Sequence, residues 1–204
     1  MKVVIIAGGK GTRIASLNSE IPKAMIPING KPVLEYQIEL AKRYGHTDIF
    51  LVIGYLGDKI RSYFGNGESF GVQIKYFEEH SPLGTAGALA ELRNVLTEDF
   101  FLFYGDTVMD VALDKMYAFH TIQQADATLF LHPNDHPYDS DLVEIDKKGV
   151  IIGFHSKPHP KNFYIVILSM QPCTFYLLVY YSIFLRELSL ILGKIYFQKY
   201  LQKI

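Results

Sequence analysis

The stretch KVVIIAGGKGTRIASLNSEIPKAMIPINGKP, residues 2–32, decides the fold. Its first six residues, Lys2 to Ala7, form a short β-branched apolar run of the kind that makes a fully buried strand. Gly8, Gly9 and Gly11 follow at once, and glycine lets a chain leave a strand through conformations barred to residues with a Cβ. Amides in such a turn can face an anion. Arg13 offers a planar fork for phosphate oxygens, and Lys23 offers a compact positive charge further along the same loop. Strand, glycine turn and two cations together predict a phosphate-handling site at the end of a buried strand.

Outward from that stretch the sequence alternates. Val33 to Tyr44 places Leu34, Ile38, Leu40 and Ala41 at helical spacing, and Gly45 stands where a helix C-cap would. Asp48 to Ile53 reads as a second buried strand, Leu56 to Phe64 as a short helix and Val72 to Phe77 as a strand. Thr85 to Leu96 reads as a helix, Phe100 to Tyr104 as a strand and Leu113 to Gln124 as a helix. Three more strands are expected over Ala127 to His132, near Leu142 to Ile145 and over Val150 to His155. Alternation of this kind predicts an α/β fold around a parallel, doubly wound sheet.

Bulk properties narrow the function. At 204 residues and 49% hydrophobic content, the chain suits one domain with a substantial core. Twenty Lys and Arg against 21 Asp and Glu leave no basic excess to hold a nucleic-acid backbone, so no nucleic-acid partner is expected and the phosphates belong to small molecules. A single cysteine, Cys173, permits no internal disulfide, and the start lacks the signal-peptide arrangement; both favour the cytoplasm.

The glycine loop is neither of the two common kinds. GGKGTR lacks the Lys-Ser/Thr pair of the Walker pattern, and Ile14 breaks the dinucleotide fingerprint G-x-G-x-x-G. It resembles the signature G-G-x-G-T-R-(L/I)…P-K of the sugar-1-phosphate nucleotidyltransferases, matched by Gly8, Gly9, Gly11, Thr12, Arg13, Pro22 and Lys23. Leu83 to Leu89, LGTAGAL, read alone is a small-residue helix start packed on a sheet. It resembles the family's second nucleotide-binding segment, which implies Gly84, Thr85 and Gly87 lying against base and ribose, with Ala7 and Gly8 also near the base. FLFYGDT, Phe101 to Thr107, brings Asp106 to the end of a buried strand, where open α/β sheets bind ligands. Asp106 matches the family's metal position, and magnesium needs few protein carboxylates because it keeps waters and phosphate oxygens. Asp110 has no such match and reads as a helix-start residue.

His132, His136, His155 and His159 with Asp135, Asp139 and Asp141 fit no common zinc spacing and read as a polar, sugar-facing or solvated loop. The segments HPYDSDL and FHSKPHP are similar to those of the branch acting on heptose or mannose phosphates, closest to D-glycero-D-manno-heptose 1-phosphate guanylyltransferases. There Lys157 matches a lysine touching the sugar phosphate, although Ser156 stands where that motif has glutamate. The resemblance covers residues 1–162. It implies a Rossmann-like, mostly parallel sheet of the nucleotide-diphospho-sugar transferase type, with a nucleoside triphosphate, GTP by this branch, and a sugar 1-phosphate as partners. It also implies Mg²⁺ as cofactor and Arg13, Lys23 and Asp106 as the catalytic set.

From residue 163 the character changes. Ile165 to Leu185 contains no charge, which read literally is long enough for a membrane span, interrupted by Gln171 and Pro172. A second reading fits better. Codons for Tyr164 to Ile204, read from the third base of each, permit YRNLVNAALYILSPS and, from Glu187, VELDFGKDIFPKI, which resemble the family's own continuation. The expectation is therefore a nucleotidyltransferase domain over 1–162, C-terminally incomplete, and a tail over 163–204 produced by a frameshift, without the late aspartate that completes the family's metal site. Two rivals remain: a non-catalytic nucleotide-binding or regulatory module, and a single-pass membrane-anchored nucleotide-binding protein.

Overall fold

The computed structural model describes residues 1–9, 20–81, 83–133, 141–156, 158 and 168–170. In chain order the elements are β1 (Lys2–Ile6), β2 (Pro27–Ile28), β3 (Lys31–Pro32), α1 (Val33–Arg43), β4 (Asp48–Ile53), α2 (Gly57–Phe64) and β5 (Gln73–Glu78). There follow α3 (Gly84–Glu91), β6 (Phe100–Tyr104), α4 (Leu113–Gln123), β7 (His132–Pro133), β8 (Asp141–Ile145), β9 (Ile151–His155) and β10 (Leu168–Met170). Four strands make a parallel sheet in the order β5-β4-β1-β6.

The period-2 geometry of a strand sends alternate side chains to opposite faces. Val3, Ile5, Ile49, Leu51, Phe101 and Phe103 pack with Leu34 and Ile38 of α1, Ile60 and Phe64 of α2, and Leu113 and Met116 of α4. Val4, Phe50, Val52, Phe100 and Leu102 pack with Ala88 and Leu89 of α3. The sheet is thus covered on both faces, the doubly wound arrangement expected from the sequence, and this is why its strands read as continuous apolar runs. Each fully buried Phe or Ile contributes about 1.5–3 kcal/mol of transfer free energy. At the end of α1, Gly45 takes φ +78°, and the amides of Gly45 and His46 bond back to the carbonyls of Lys42 and Ala41. That closure needs a left-handed residue, which glycine supplies.

Beyond α4 the sequence reading needs correction. The apolar run 127–131 pairs with no strand among the described residues, and the ladder begins only at His132. Ala127 and Thr128 are buried all the same: β-propensity reports fit to a half-buried surface, not the presence of a partner. The later strands do not extend the parallel sheet either. They form a separate antiparallel sheet, β7-β10-β8-β9. Its β8–β9 hairpin is closed by Asp146, whose carboxylate accepts the amides of Lys148 at 2.8 Å and Val150 at 2.9 Å. Asp110 is not a helix start. α4 opens three residues later, at Leu113 behind Ala112, and Asp110 instead accepts a 2.6 Å bond from Arg43.

Candidate functional site

All four parallel strands end on one edge, and the chain leaving β1, β5 and β6 there carries Ala7, Gly8 and Gly9, then Gly84, Thr85 and Gly87, then Asp106. β1 is prolonged by Ala7, whose amide donates to Val52 O at 2.8 Å. Gly8 then crosses a tight place. A Cβ on Gly8 would lie 2.7 Å from Glu79 Oε2 and 3.2 Å from Gly54 N, so a side chain there turns the Glu79 carboxylate aside and presses on the Gly54 backbone. No atom of the described residues lies within 4 Å of the would-be Cβ of Gly9.

The next loop, after β6, is held from below. The Gly105 amide donates to Ile6 O at 2.9 Å, and a Cβ on Gly105 would meet Ala7 Cβ at 3.1 Å and Leu34 Cδ1 at 3.2 Å. Asp106 follows, its side chain 30% exposed, and its Oδ2 accepts a 2.5 Å bond from Lys23 Nζ. Lys23 opens a 3-10 turn, Lys23–Met25, that is anchored by buried Ala24 and by the bond from Val33 N to Ile26 O. Residues 83 positions apart are thereby joined in one ion pair at the carboxyl edge. An ammonium carries three donors, so Lys23 bonded to Asp106 keeps two for phosphate oxygens.

The third loop leads from β5 into α3. Gly84 takes φ +68°, a conformation that disfavours a side chain. Thr85 Oγ1 lies 3.0 Å from Tyr104 OH, fastening the start of α3 to the end of β6. Gly87 has a packing reason of its own, since a Cβ there would lie 2.7 Å from Leu83 Cβ. Two groups that sequence reasoning passed over belong to this edge. Burial raises the Glu79 carboxyl above its ordinary value, opposed by the Leu83 amide, and burial raises the Tyr104 phenol, opposed by Thr85. Both are polar residues at strand ends, and that position was their signal.

Gly11, Thr12, Arg13 and Lys157 lie outside the described residues, as do His136, His159, Asp135 and Asp139 of the polar loop. His155 Nε2 sits 3.2 Å from Glu144 Oε2. Among the described residues no group of three or more His, Cys, Asp or Glu converges to hold a metal. A single partly exposed carboxylate, Asp106, does not make a protein cage. It fits a hard cation that brings its other oxygens with it, from phosphates and water. No helix among the described residues is long and apolar enough to cross a membrane.

Comparison with known proteins gives consistent results. Residues 2–170 match the nucleotidyl transferase family. The chain is 34% identical over 162 residues to the D-glycero-alpha-D-manno-heptose 1-phosphate guanylyltransferase of Campylobacter jejuni, covering 79% of this chain and 71% of that one. It is 36% identical over 172 residues to the UTP–glucose-1-phosphate uridylyltransferase of a Synechocystis species, 78% of this chain but 44% of that longer protein. Among solved structures, HddC from Yersinia pseudotuberculosis complexed with GMP-PN superposes with a TM-score of 0.67 at 25% identity, over 86% of this chain and 72% of that one.

Proposed function

The chain belongs to the nucleotidyl transferase family, whose members similar to it are sugar-1-phosphate nucleotidyltransferases, and from that premise we propose that it transfers GMP from GTP to a heptose or mannose 1-phosphate in the cytoplasm, making an NDP-sugar for cell-surface polysaccharide. What supports this reading most is the Lys23–Asp106 pair, 2.5 Å apart on the edge where an α/β sheet binds ligands. The heptose guanylyltransferase relative and the GMP-PN complex of the HddC neighbour support GTP as the nucleotide.

In this reaction an oxygen of the sugar 1-phosphate attacks the α-phosphorus, the bond to the bridging oxygen breaks, and pyrophosphate leaves with that electron pair. The incoming phosphate is an adequate nucleophile, so the protein aligns two anions and neutralises developing charge without a covalent intermediate. Lys23 lies against the α-phosphate and the incoming phosphate, Arg13 grips the departing β- and γ-phosphates, and Lys157 meets the sugar phosphate. Ala7, Gly8, Gly9, Gly11 and Thr12 wrap the triphosphate and base, with Gly84, Thr85 and Gly87 on the base and ribose. Asp106 is the carboxylate that would hold Mg²⁺, which supplies Lewis-acid charge neutralisation when bound.

We further propose the boundary at residue 163, with 163–204 the product of a shifted reading frame; resequencing the codons for Asn162 to Ser169 tests it. As written, Arg186 to Ile204 contains no aspartate, which favours a second reading, a module that binds nucleotide without turnover. Pyrophosphate release from GTP, UTP, dTTP and CTP against heptose, mannose and glucose 1-phosphates, with calorimetry alongside, separates the two. Release fastest with GTP and heptose or mannose 1-phosphate supports the enzyme. GTP binding without release supports the module, and no nucleotide binding overturns both.

A further inference from the structure

Gln37 lies on α1 with no exposed surface, in the stripe that Leu34, Ile38 and Ala41 make against the sheet. Its Nε2 donates to Thr107 O, the residue after Asp106. Its Oε1 is buried and has no hydrogen-bond partner among the described residues. An amide left half satisfied in a core is a poor choice for stability alone, because an apolar residue of similar volume would avoid the unpaired oxygen. The useful half is the donor, and it reaches the loop that presents Asp106.

Gly105 and Thr107, the neighbours of Asp106, are also held by further bonds. Gly105 bonds to Ile6 and rests on Leu34. Thr107 is itself buried, and its Oγ1 donates back to Tyr104 O at 3.0 Å. α1 also supports the other half of the ion pair, since the Val33 amide at its start holds Ile26 O beyond the Lys23–Met25 turn. One helix therefore underlies both Lys23 and Asp106.

Resting on the reading of Asp106 given above, we propose that Gln37 is a positioning residue: through the Thr107 carbonyl it sets the Asp106 carboxylate against Lys23 and the nucleotide phosphates. It touches no substrate. Sites of this kind tolerate displacements of only about 0.5 Å before function suffers, and the supporting layer fixes them.

The test compares GTP affinity by calorimetry with and without Mg²⁺ in the full chain and in Gln37→Leu, Gln37→Glu and Asp106→Asn, each with its melting temperature. Mg²⁺ should tighten GTP binding in the parent chain, and Asp106→Asn should remove that tightening. Gln37→Leu should lose most of it, roughly 10-fold or more, by analogy with losses for outer-shell partners of metal ligands, while binding without Mg²⁺ stays within about 2-fold. Gln37→Glu keeps the shape and donates only when protonated, so its Mg²⁺ effect should recover as pH falls; it also serves if Gln37→Leu does not fold. A lowered melting temperature with the Mg²⁺ effect intact in both Gln37 variants would make Gln37 merely structural and overturn the inference. An unchanged Mg²⁺ effect in Asp106→Asn would overturn the metal role of Asp106 and the inference with it.

Discussion

The two edges of the parallel sheet are finished differently. At the carboxyl edge the strands run out into glycine, a partly exposed ion pair and loops held from below by α1. At the amino edge two packed imidazoles lie near the strand starts, with the Lys75–Asp48 ion pair, 3.0 Å, on the surface beside β4. His46 lies 5.0 Å from the Phe101 ring, and His120, 4% exposed, contacts Thr128 at 2.9 Å with Asp99 at 4.0 Å. On the proposed reading the same strands carry function at one end and closure at the other. Substitutions at the carboxyl edge should move chemistry with little change in stability, and substitutions at the amino edge should do the reverse.

The strongest attempt to break this contrast is Lys23→Ala. Removing the ammonium takes one charge stabiliser from the phosphates and should lower kcat by on the order of 10²-fold or more. The side chain is 35% exposed, so the partner it leaves behind is partly hydrated and the melting temperature should move little. Steady-state pyrophosphate release and thermal denaturation of the same preparation check both halves. Near-normal turnover would remove Lys23 from the mechanism, and a large loss of stability would show the carboxyl edge to be structural.

A smaller effect comes from two adjacent glycines. Gly8→Ala brings a methyl to 2.7 Å from Glu79 Oε2, which can swing aside, and to 3.2 Å from the Gly54 amide, so the Gly8 and Gly54 backbones must part slightly. Gly9→Ala meets nothing within 4 Å among the described residues. GTP affinity should therefore fall about 10-fold in Gly8→Ala, the scale of a modest displacement of a binding loop. Gly9→Ala should fall further than this only if the nucleotide itself occupies the open space. Equal, small losses measured by calorimetry would place the triphosphate away from this turn.

Much of this architecture was legible because it follows from period and turn chemistry. The buried runs Asp48–Ile53 and Phe100–Tyr104 coincide with strands β4 and β6, and Gly45 closes α1 as a left-handed residue must. Lys23 and Asp106 were named from their motifs before any geometry joined them. Gln37 was not, because an apolar count steps over a polar residue even where it sits three positions from Leu34 on the same stripe. Glu79 offers in the sequence only its place at the end of β5, and the neighbour that gives that place weight, Gly8, comes from a distant part of the chain. The separate antiparallel sheet was illegible because a strand-like run names its own period and not its partner. Nothing local in 127–131 announces that burial there comes without a ladder.

The amino edge gives the finest test, through pH. Burial lowers the His120 pKa from the ordinary 6.5, against the raising effect of Asp99 and Asp126, and burial lowers that of His46, helped by the positive N-terminus. A histidine whose folded pKa lies below its unfolded one binds more protons when unfolded. Its contribution to stability is therefore complete above 6.5 and is lost as pH falls from there toward the depressed folded value. Melting temperature should drop by about 4–8 °C for each kcal/mol so lost if the domain behaves like one of 60–100 residues, and by about 2–4 °C for a larger one. His120→Gln keeps a polar group near Thr128 and removes the titration, so it should flatten the decline between pH 7.5 and pH 5.5 while leaving the share of His46. The Mg²⁺ dependence of GTP binding at the carboxyl edge should not change. A parent chain with no acid decline over that range would mean that these imidazoles are hydrated in solution, and the contrast between the two edges would lose its amino-terminal half.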